Sequence, residues 1–262
     1  MSKGYMDKLK LDGKTAVITG GGQGIGASCA MALAEAGAGV VIADVVLARA
    51  EQMAEEMQKS GMTASAIGLD VCDSAAVNNA AAHIVKTHGR ADILINNAGI
   101  AESNVAAEDT SDAHWRKHFA VNVDGLFYCC RAFGGLMLKD GGGGAIVNVG
   151  SMSGVIVNKP QPQSFYNATK AAVHQLTKSL AAEWAMRGIR VNAVAPTYID
   201  TPLNDQFAKE HSAMYSQWLE NTPMKRMGSP EEIASVVHFL SSDAASLLTG
   251  SIIIADGGYT CW

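Results

Sequence analysis

Tyr166 and Lys170 stand one helical turn apart in Tyr166-Asn-Ala-Thr-Lys170, which places a phenol and an amine on one face at the start of a predicted helix. A phenol with its ordinary pKa near ~10 is a poor acid–base group at neutral pH. A neighbouring ammonium and a helix N-terminus both favour the phenolate, so the spacing predicts a lowered phenol pKa. Such a tyrosine can serve as base toward an alcohol or as acid toward a ketone. By itself the pair is also a common surface feature, so its meaning depends on what surrounds it.

A second group of residues could bind a phosphate. Thr19-Gly20-Gly21-Gly22-Gln23-Gly24-Ile25-Gly26 follows an apolar strand-like run and opens a helical one. Glycine is needed where backbone must approach a pyrophosphate, and helix N-terminal amides attract the anion. Asp44, at the end of the next strand, is the acid that can bind adenosine ribose hydroxyls and repel a 2′-phosphate. No Lys or Arg lies in the glycine turn or next to Asp44, and Arg49 is the nearest. The expected cofactor is therefore NAD rather than NADP. An ordinary tight turn and a strand-end aspartate are the plainer alternatives.

These groups need a scaffold, and the chain alternates short apolar runs with longer helical stretches. That alternation predicts an α/β fold, a parallel sheet with helices on both faces. Expected strands are Thr15–Thr19, Val40–Ala43, Thr63–Leu69, Ile93–Ile95, Ala145–Val149, Arg190–Val194 and Ser251–Ile254. They are nearly continuous apolar runs, as strands buried on both faces should be. Expected helices are Ala27–Gly37, Leu47–Ser60, Ser74–His88 with Asp73 as cap, Asp112–Leu138 and Gln163–Met186. The four glycines from Gly141 to Gly144 read as a flexible connection. The stretch 197–229 is long for a connection and rich in Met, Tyr, Trp and Pro, so it is read as a lid over a site. No repeat or linker divides the 262 residues, and one domain is expected.

Composition narrows the field. The chain is 48% apolar and carries 20 Lys+Arg against 25 Asp+Glu, so it can bury a core, and nothing basic invites nucleic acid or an anionic membrane. Met1 to Lys10 lacks the apolar stretch of a signal peptide, and the uncharged run from Thr15 to Ala34 is broken by glycines. Five cysteines without CxxC spacing suit a reducing cytoplasm. The seven histidines are read as lacking ligand spacing, and no metal is expected.

Taken together, Thr19-Gly-x3-Gly24-Ile-Gly26, Asn96-Asn97-Ala98-Gly99, Val121-Asn122-Val123, Ser151 after a strand, and Tyr166-Asn-Ala-Thr-Lys170 resemble the short-chain dehydrogenase/reductase family over essentially the whole chain, from Leu11 to Asp256-Gly257-Gly258. The resemblance implies a single-domain Rossmann fold with seven parallel strands. It implies that Tyr166 is the acid–base residue, that Lys170 binds the nicotinamide ribose and lowers the tyrosine pKa, and that Ser151 holds the substrate oxygen. Asn122 would support a water-linked proton relay. Gly20, Gln23, Gly24, Ile25, Gly26 and Asp44 would hold the dinucleotide. Asp70 and Val71 would lie on its adenine, Asn97, Ala98 and Gly99 along its ribose, and Pro196, Ile199 and Thr201 by its carboxamide and phosphates. The family also implies a homotetramer.

Two departures from the family pattern matter. The usual serine-to-tyrosine spacing selects Ser153, whereas the end of the strand Ile146-Val147-Asn148-Val149 selects Ser151; the strand is the firmer anchor because loops absorb insertions. Ser153 then becomes a second substrate contact. Pro196-Thr197 replaces a usual Pro-Gly pair, and because Thr does not freely take positive φ the local backbone is expected to differ.

The wall Ser153–Gln163, with Asn158, Lys159, Gln161 and Gln163, is polar, as a hydroxyl-rich substrate requires. Asn158 is the substrate contact expected there. Met214, Tyr215, Trp218 and Leu219 read as an amphipathic lid face. Within the family the chain most resembles polyol and sugar-alcohol dehydrogenases. Open alternatives are a 3-oxoacyl thioester or other ketone reductase, a non-catalytic dinucleotide-binding sensor, and wall side chains that simply face solvent.

Overall fold

The computed structural model describes residues 4–201 and 212–262. Seven strands, β1 Thr15–Thr19, β2 Gly39–Asp44, β3 Ala64–Gly68, β4 Ile93–Asn96, β5 Gly144–Val149, β6 Ile189–Pro196 and β7 Ile252–Ala255, form one sheet in the order β3-β2-β1-β4-β5-β6-β7. Every neighbouring pair is parallel. All five residues of β1 are buried, which is why it carries no polar alternation. Ala16 and Ile18 enter one core with Leu33, Met57 and Val237, while Val17 enters the other with Ile84, Phe133 and Val173. Successive side chains leave a strand on opposite faces, so one apolar run serves two cores.

Helices α1 Gly24–Glu35, α2 Leu47–Lys59, α3 Ser74–His88, α4 Asp112–Phe119, α5 Leu126–Lys139, α6 Ser164–Trp184, α7 Ser212–Asn221 and α8 Pro230–Ser241 cover the sheet. The Asp73 carboxylate accepts from Ala75 N at 2.8 Å and Ala76 N at 3.0 Å, capping α3 as expected. Ser229 and Glu232 form a capping box at α8.

Two differences from the sequence expectation are local. Helix α1 starts at Gly24, not Ala27, because the glycine turn supplies its first turn. The expected helix Asp112–Leu138 is continuous but contains a π-helical stretch, Ala120–Gly125, centred near Asn122. Of the expected lid, residues 202–211 lie outside the described residues; α7 follows them.

The chain reverses its strand order between β1 and β4. A crevice at such a switch point, beyond the carboxyl ends of the strands, is where an open α/β sheet takes its ligand. The glycine turn, Asp44, Asn97 and Ser151 all follow or end these strands.

Candidate active site

The dinucleotide half is built from backbone. Gly20 has φ +61° and Gly24 φ +55°, conformations that glycine adopts without strain. A Cβ at Gly26 would collide with Gly20 O and Asn97 Nδ2, so turn and helix can close only on glycine. Asn97 Nδ2 donates to Thr19 O at 3.2 Å and Gly20 O at 2.8 Å, while Thr19 Oγ1 accepts from Asn97 N and Ala98 N. These bonds tie β4 to the turn after β1. Asp44 is buried at the same place: its Oδ2 accepts from Gly22 N at 3.1 Å and its Oδ1 from Val46 N at 2.9 Å. Arg49, distant in sequence from the turn, touches it in space, since a Cβ at Gly22 would stand 2.7 Å from Arg49 Cβ.

Farther along, Asp70 is exposed and accepts from Cys72 N, while Val71 packs against Gly125. Ile25, Asn97, Gly99, Pro196, Ile199 and Thr201 line a cavity of about 480 Å³ together with Ser151, Ser153, Asn158, Tyr166 and Lys170. Gly20, Gln23, Gly24, Gly26, Asp44, Asp70, Val71, Ala98 and Asn122 are outside that lining and extend the site toward the β1–β3 edge or lie behind it.

The chemical half gathers at the start of α6. Ser151 stands beside the Tyr166 hydroxyl and favours its ionised form, and Ser151 Oγ lies 3.0 Å from Ser153 Oγ. The strand-end anchor therefore selects the serine beside the tyrosine, with Ser153 next to it. Lys170 is buried, its Nζ donating to Val149 O at 2.9 Å and lying 5.7 Å from the Tyr166 ring centroid. Burial lowers the lysine pKa to about 8, which leaves it mostly charged at pH 7.

The expected lowering of the tyrosine pKa is not what this arrangement gives. Burial pushes the Tyr166 phenol up, opposed only by the neighbouring Ser151. The cause is geometric: the amine is turned to a backbone carbonyl, and desolvation of the phenolate outweighs what remains. Asn122 accepts from Ile100 N at 2.8 Å and donates to Ile100 O at 2.9 Å and Thr169 Oγ1 at 3.2 Å. It ties the strand-end loop to α6 next to Lys170.

The polar wall does not face solvent. Asn158, Gln161 and Gln163 are buried, and only Lys159 of the four is exposed. Asn158 Nδ2 and Gln161 Nε2 both donate to Tyr198 Oη, at 3.1 and 2.8 Å. Gln163 Nε2 donates to Asn158 Oδ1 at 3.0 Å and lies 3.4 Å from Ser153 Oγ. Trp218 Nε1 donates to Gln161 Oε1 at 3.1 Å, and the Trp218 ring stacks on Tyr198 at 4.0 Å.

Tyr198 was missed by the sequence reading. Its one signal is its place directly after Pro196-Thr197, where the chain leaves β6. Among the described residues the non-glycine residues with positive φ are Asn104 and Lys225, so Thr197 fits without that strain, and its buried Oγ1 has no partner beside the cavity. That orphaned hydroxyl, the open backbone at Gly24 and the close turn at Gly26 fit a nicotinamide dinucleotide spanning the crevice.

The histidines depart from the sequence expectation. His114 and His118 are one turn apart on α4, and the fold sets both beside Glu102. The histidines therefore do have ligand-like spacing.

Fold and site together define an oxidoreductase of the dinucleotide-binding α/β class. A family model described as enoyl-(acyl carrier protein) reductase matches residues 20–260. The galactitol 2-dehydrogenase of Rhizobium johnstonii is 52% identical, covering 98% of this chain and 99% of its own. The crystal structure of gox2181 superposes with a TM-score of 0.97 at 50% identity, over 99% of this chain and 100% of that one. A gluconate 5-dehydrogenase from Burkholderia cenocepacia, solved with NADP and tartrate, is 34% identical with a TM-score of 0.93, over 99% and 100% of the two chains. The chain belongs to the short-chain dehydrogenase/reductase family.

Proposed function

We propose that this protein is an NAD-dependent dehydrogenase that interconverts a secondary hydroxyl of a polyol or sugar alcohol with the ketone. The observation that carries the reading is the buried carboxamide wall, Asn158, Gln161 and Gln163, standing over the same cavity as Ser151 and Tyr166. The carboxamides are bonded to Tyr198, Trp218 and one another, and each keeps a further N–H or lone pair that a substrate hydroxyl can meet and an acyl chain cannot. The galactitol dehydrogenase likeness supports the same substrate class.

The nicotinamide supplies the hydride acceptor or donor when bound. Tyr166 exchanges the proton at the substrate oxygen through its Oη, and Ser151 holds that oxygen. Lys170 contributes positive charge behind the phenol and is the group expected to hold the nicotinamide ribose; Asn122 supports it through the Ile100 loop. Because burial raises the Tyr166 pKa, the phenol stays protonated, the form that a ketone substrate requires, though as a weaker acid. To accept one from an alcohol it needs the Lys170 charge brought closer to Oη. Gly20, Gln23, Gly24, Ile25 and Gly26 would cradle the pyrophosphate, Asp70 and Val71 the adenine, and Asn97, Ala98 and Gly99 the adjoining ribose. Pro196, Thr197, Ile199 and Thr201 would line the nicotinamide side. Asp44 favours NAD by repelling a 2′-phosphate.

The five cysteines are all unpaired, three of them buried, which fits a reducing cytoplasm. No helix of the described residues is long and apolar enough to cross a membrane. Phe127 on α5 and Phe239 on α8 stay exposed, and apolar helix faces of this kind support assembly into a homotetramer.

The test is NADH formation with galactitol, sorbitol, xylitol and threitol, set beside NADH consumption with acetoacetyl thioesters. Polyol turnover exceeding thioester turnover supports the proposal. Preferred turnover of the thioesters would replace it with the reductase reading. Dinucleotide binding with no turnover of either set would indicate a sensor.

A further inference from the structure

We propose that Glu102, His114 and His118 form a binding site for a divalent transition-metal ion, of the zinc type, at the edge of the substrate cavity. One donor atom from each side chain lies within 4.8 Å of the other two. Ligands about 2.1 Å from a tetrahedral zinc stand roughly 3.4 Å from one another. Glu102 Oε2 and His114 Nδ1 are already 3.5 Å apart, so only His118 has to close the remaining gap.

The histidine tautomer is set for it. His118 Nδ1 lies 3.0 Å from the carbonyl oxygen of His114, which makes Nδ1 the N–H nitrogen and leaves the lone pair on Nε2. That Nε2 is buried without a hydrogen-bond partner, in a side chain with no solvent exposure. A buried polar atom left unpaired is costly. Metal-ligating histidines typically donate their other ring nitrogen to a carbonyl, which fixes tautomer and ring direction. The two imidazoles are also braced, with ring centroids 4.5 Å apart and Phe165 packed 4.3 and 4.5 Å from them.

Two nitrogens and one carboxylate oxygen suit Zn²⁺ or Co²⁺ better than Ca²⁺ or Mg²⁺, which take oxygen ligands. Lys117 opposes the ion: its Nζ donates to Glu102 Oε1 at 2.9 Å. It occupies the oxygen that His114 does not approach, so the carboxylate can serve both cations, at a cost in affinity. Three protein ligands leave one coordination position for water or a substrate oxygen. Glu102 itself lines the cavity with Ile100 and Ser103, so the ion would stand beside the substrate and apart from the Ser151–Tyr166 pair.

The experiment is a titration of metal-stripped protein with Co²⁺, followed by its visible d–d absorption, with Zn²⁺ as competitor. Saturation at one equivalent per chain, with Zn²⁺ erasing the band, is expected. Glu102→Gln, at an exposed position, and His118→Phe, which keeps the aromatic packing, should each weaken binding by more than ~100-fold, beyond the roughly 10–100-fold loss typical of an outer-shell partner. Lys117→Met should tighten it, and His83→Gln, at an exposed site on α3, should leave it unchanged. Absence of the band, or equal binding by Glu102→Gln and the parent, would overturn the proposal. These readouts are independent of which alcohol the enzyme oxidises.

Discussion

Replacing Asp44 with asparagine tests the dinucleotide half of the site most directly. The side chain is 5% exposed, and each carboxylate oxygen is held by one amide, Gly22 N at 3.1 Å and Val46 N at 2.9 Å. Asparagine keeps the shape but has one acceptor, so one of those N–H groups is left facing an NH₂ group. An unpaired buried donor costs about 1–3 kcal/mol, and for a domain of this size each kcal/mol lowers Tm by roughly 2–4 °C. A fall of several degrees is therefore expected even if no ribose ever touches residue 44.

The cofactor effect is separable from that loss. A carboxylate and a phosphate charge about 4 Å apart repel by about 4 kcal/mol at an effective dielectric constant near 20. Removing the carboxylate relieves that repulsion for NADP and costs NAD a charged hydrogen bond of about 1.5–3 kcal/mol. The ratio of kcat/KM for NADP to that for NAD, measured with one polyol, should rise at least about 100-fold, since each 1.4 kcal/mol is tenfold. Arg49, whose Cβ and backbone pack on the turn, is the nearest cation that could turn toward the phosphate. An unchanged ratio accompanied by the predicted drop in Tm would show that Asp44 only organises the glycine turn, and the cofactor assignment would fail.

Three other outcomes follow from the same geometry. Tyr166→Phe should abolish turnover yet leave dinucleotide binding, read by NADH fluorescence, within a few-fold; equal loss of both would indicate a folding defect and undercut the acid–base role. Tyr198→Phe removes the oxygen that accepts from Asn158 and Gln161 while keeping the stack on Trp218, so stability should fall by about 2–4 kcal/mol and KM for the polyol should rise; unchanged KM and Tm would show that the carboxamide wall does not read the substrate. Burial lowers the His174 pKa from 6.5 to about 4, so above pH 6.5 the group is neutral folded or unfolded and contributes nothing to the pH dependence. Between pH 6.5 and about 4 the unfolded chain binds the extra proton, so stability should drop by about 2 kcal/mol as the pH is lowered through that window. Urea unfolding of His174→Gln should show a flatter profile over that window, and an identical profile would refute the assignment.

Local pattern was enough for the scaffold and for nominating the groups of the candidate site. Strands buried on both faces read as unbroken apolar runs because neither side meets water, and the glycines at 20, 24 and 26 mark a turn that closes only without side chains. The Tyr166–Lys170 spacing follows from helical geometry alone. The strand end, which fixes direction, favours Ser151 over Ser153, and the fold sets the two side by side.

What the pattern did not hold was the environment of each group. Charge proximity along the helix suggested an acidic phenol, yet packing turned the Lys170 amine to the Val149 carbonyl and buried both groups, so desolvation decides their titration. Asn122 lies in a π-helical stretch and its side chain grips the Ile100 backbone, a contact between segments that no periodicity encodes. Tyr198, Trp218 and the carboxamides of the wall come from three separate stretches, and their hydrogen bonds exist only once β6, α7 and the loop before α6 converge. His114 and His118 show the division most plainly: their helical spacing was present in the sequence, but it took the fold to bring Glu102 alongside. Sequence determined which groups this protein possesses and on which element each one sits; tertiary packing decided which of them are dry, which are paired and which face one another, because burial and distance are properties of the folded chain.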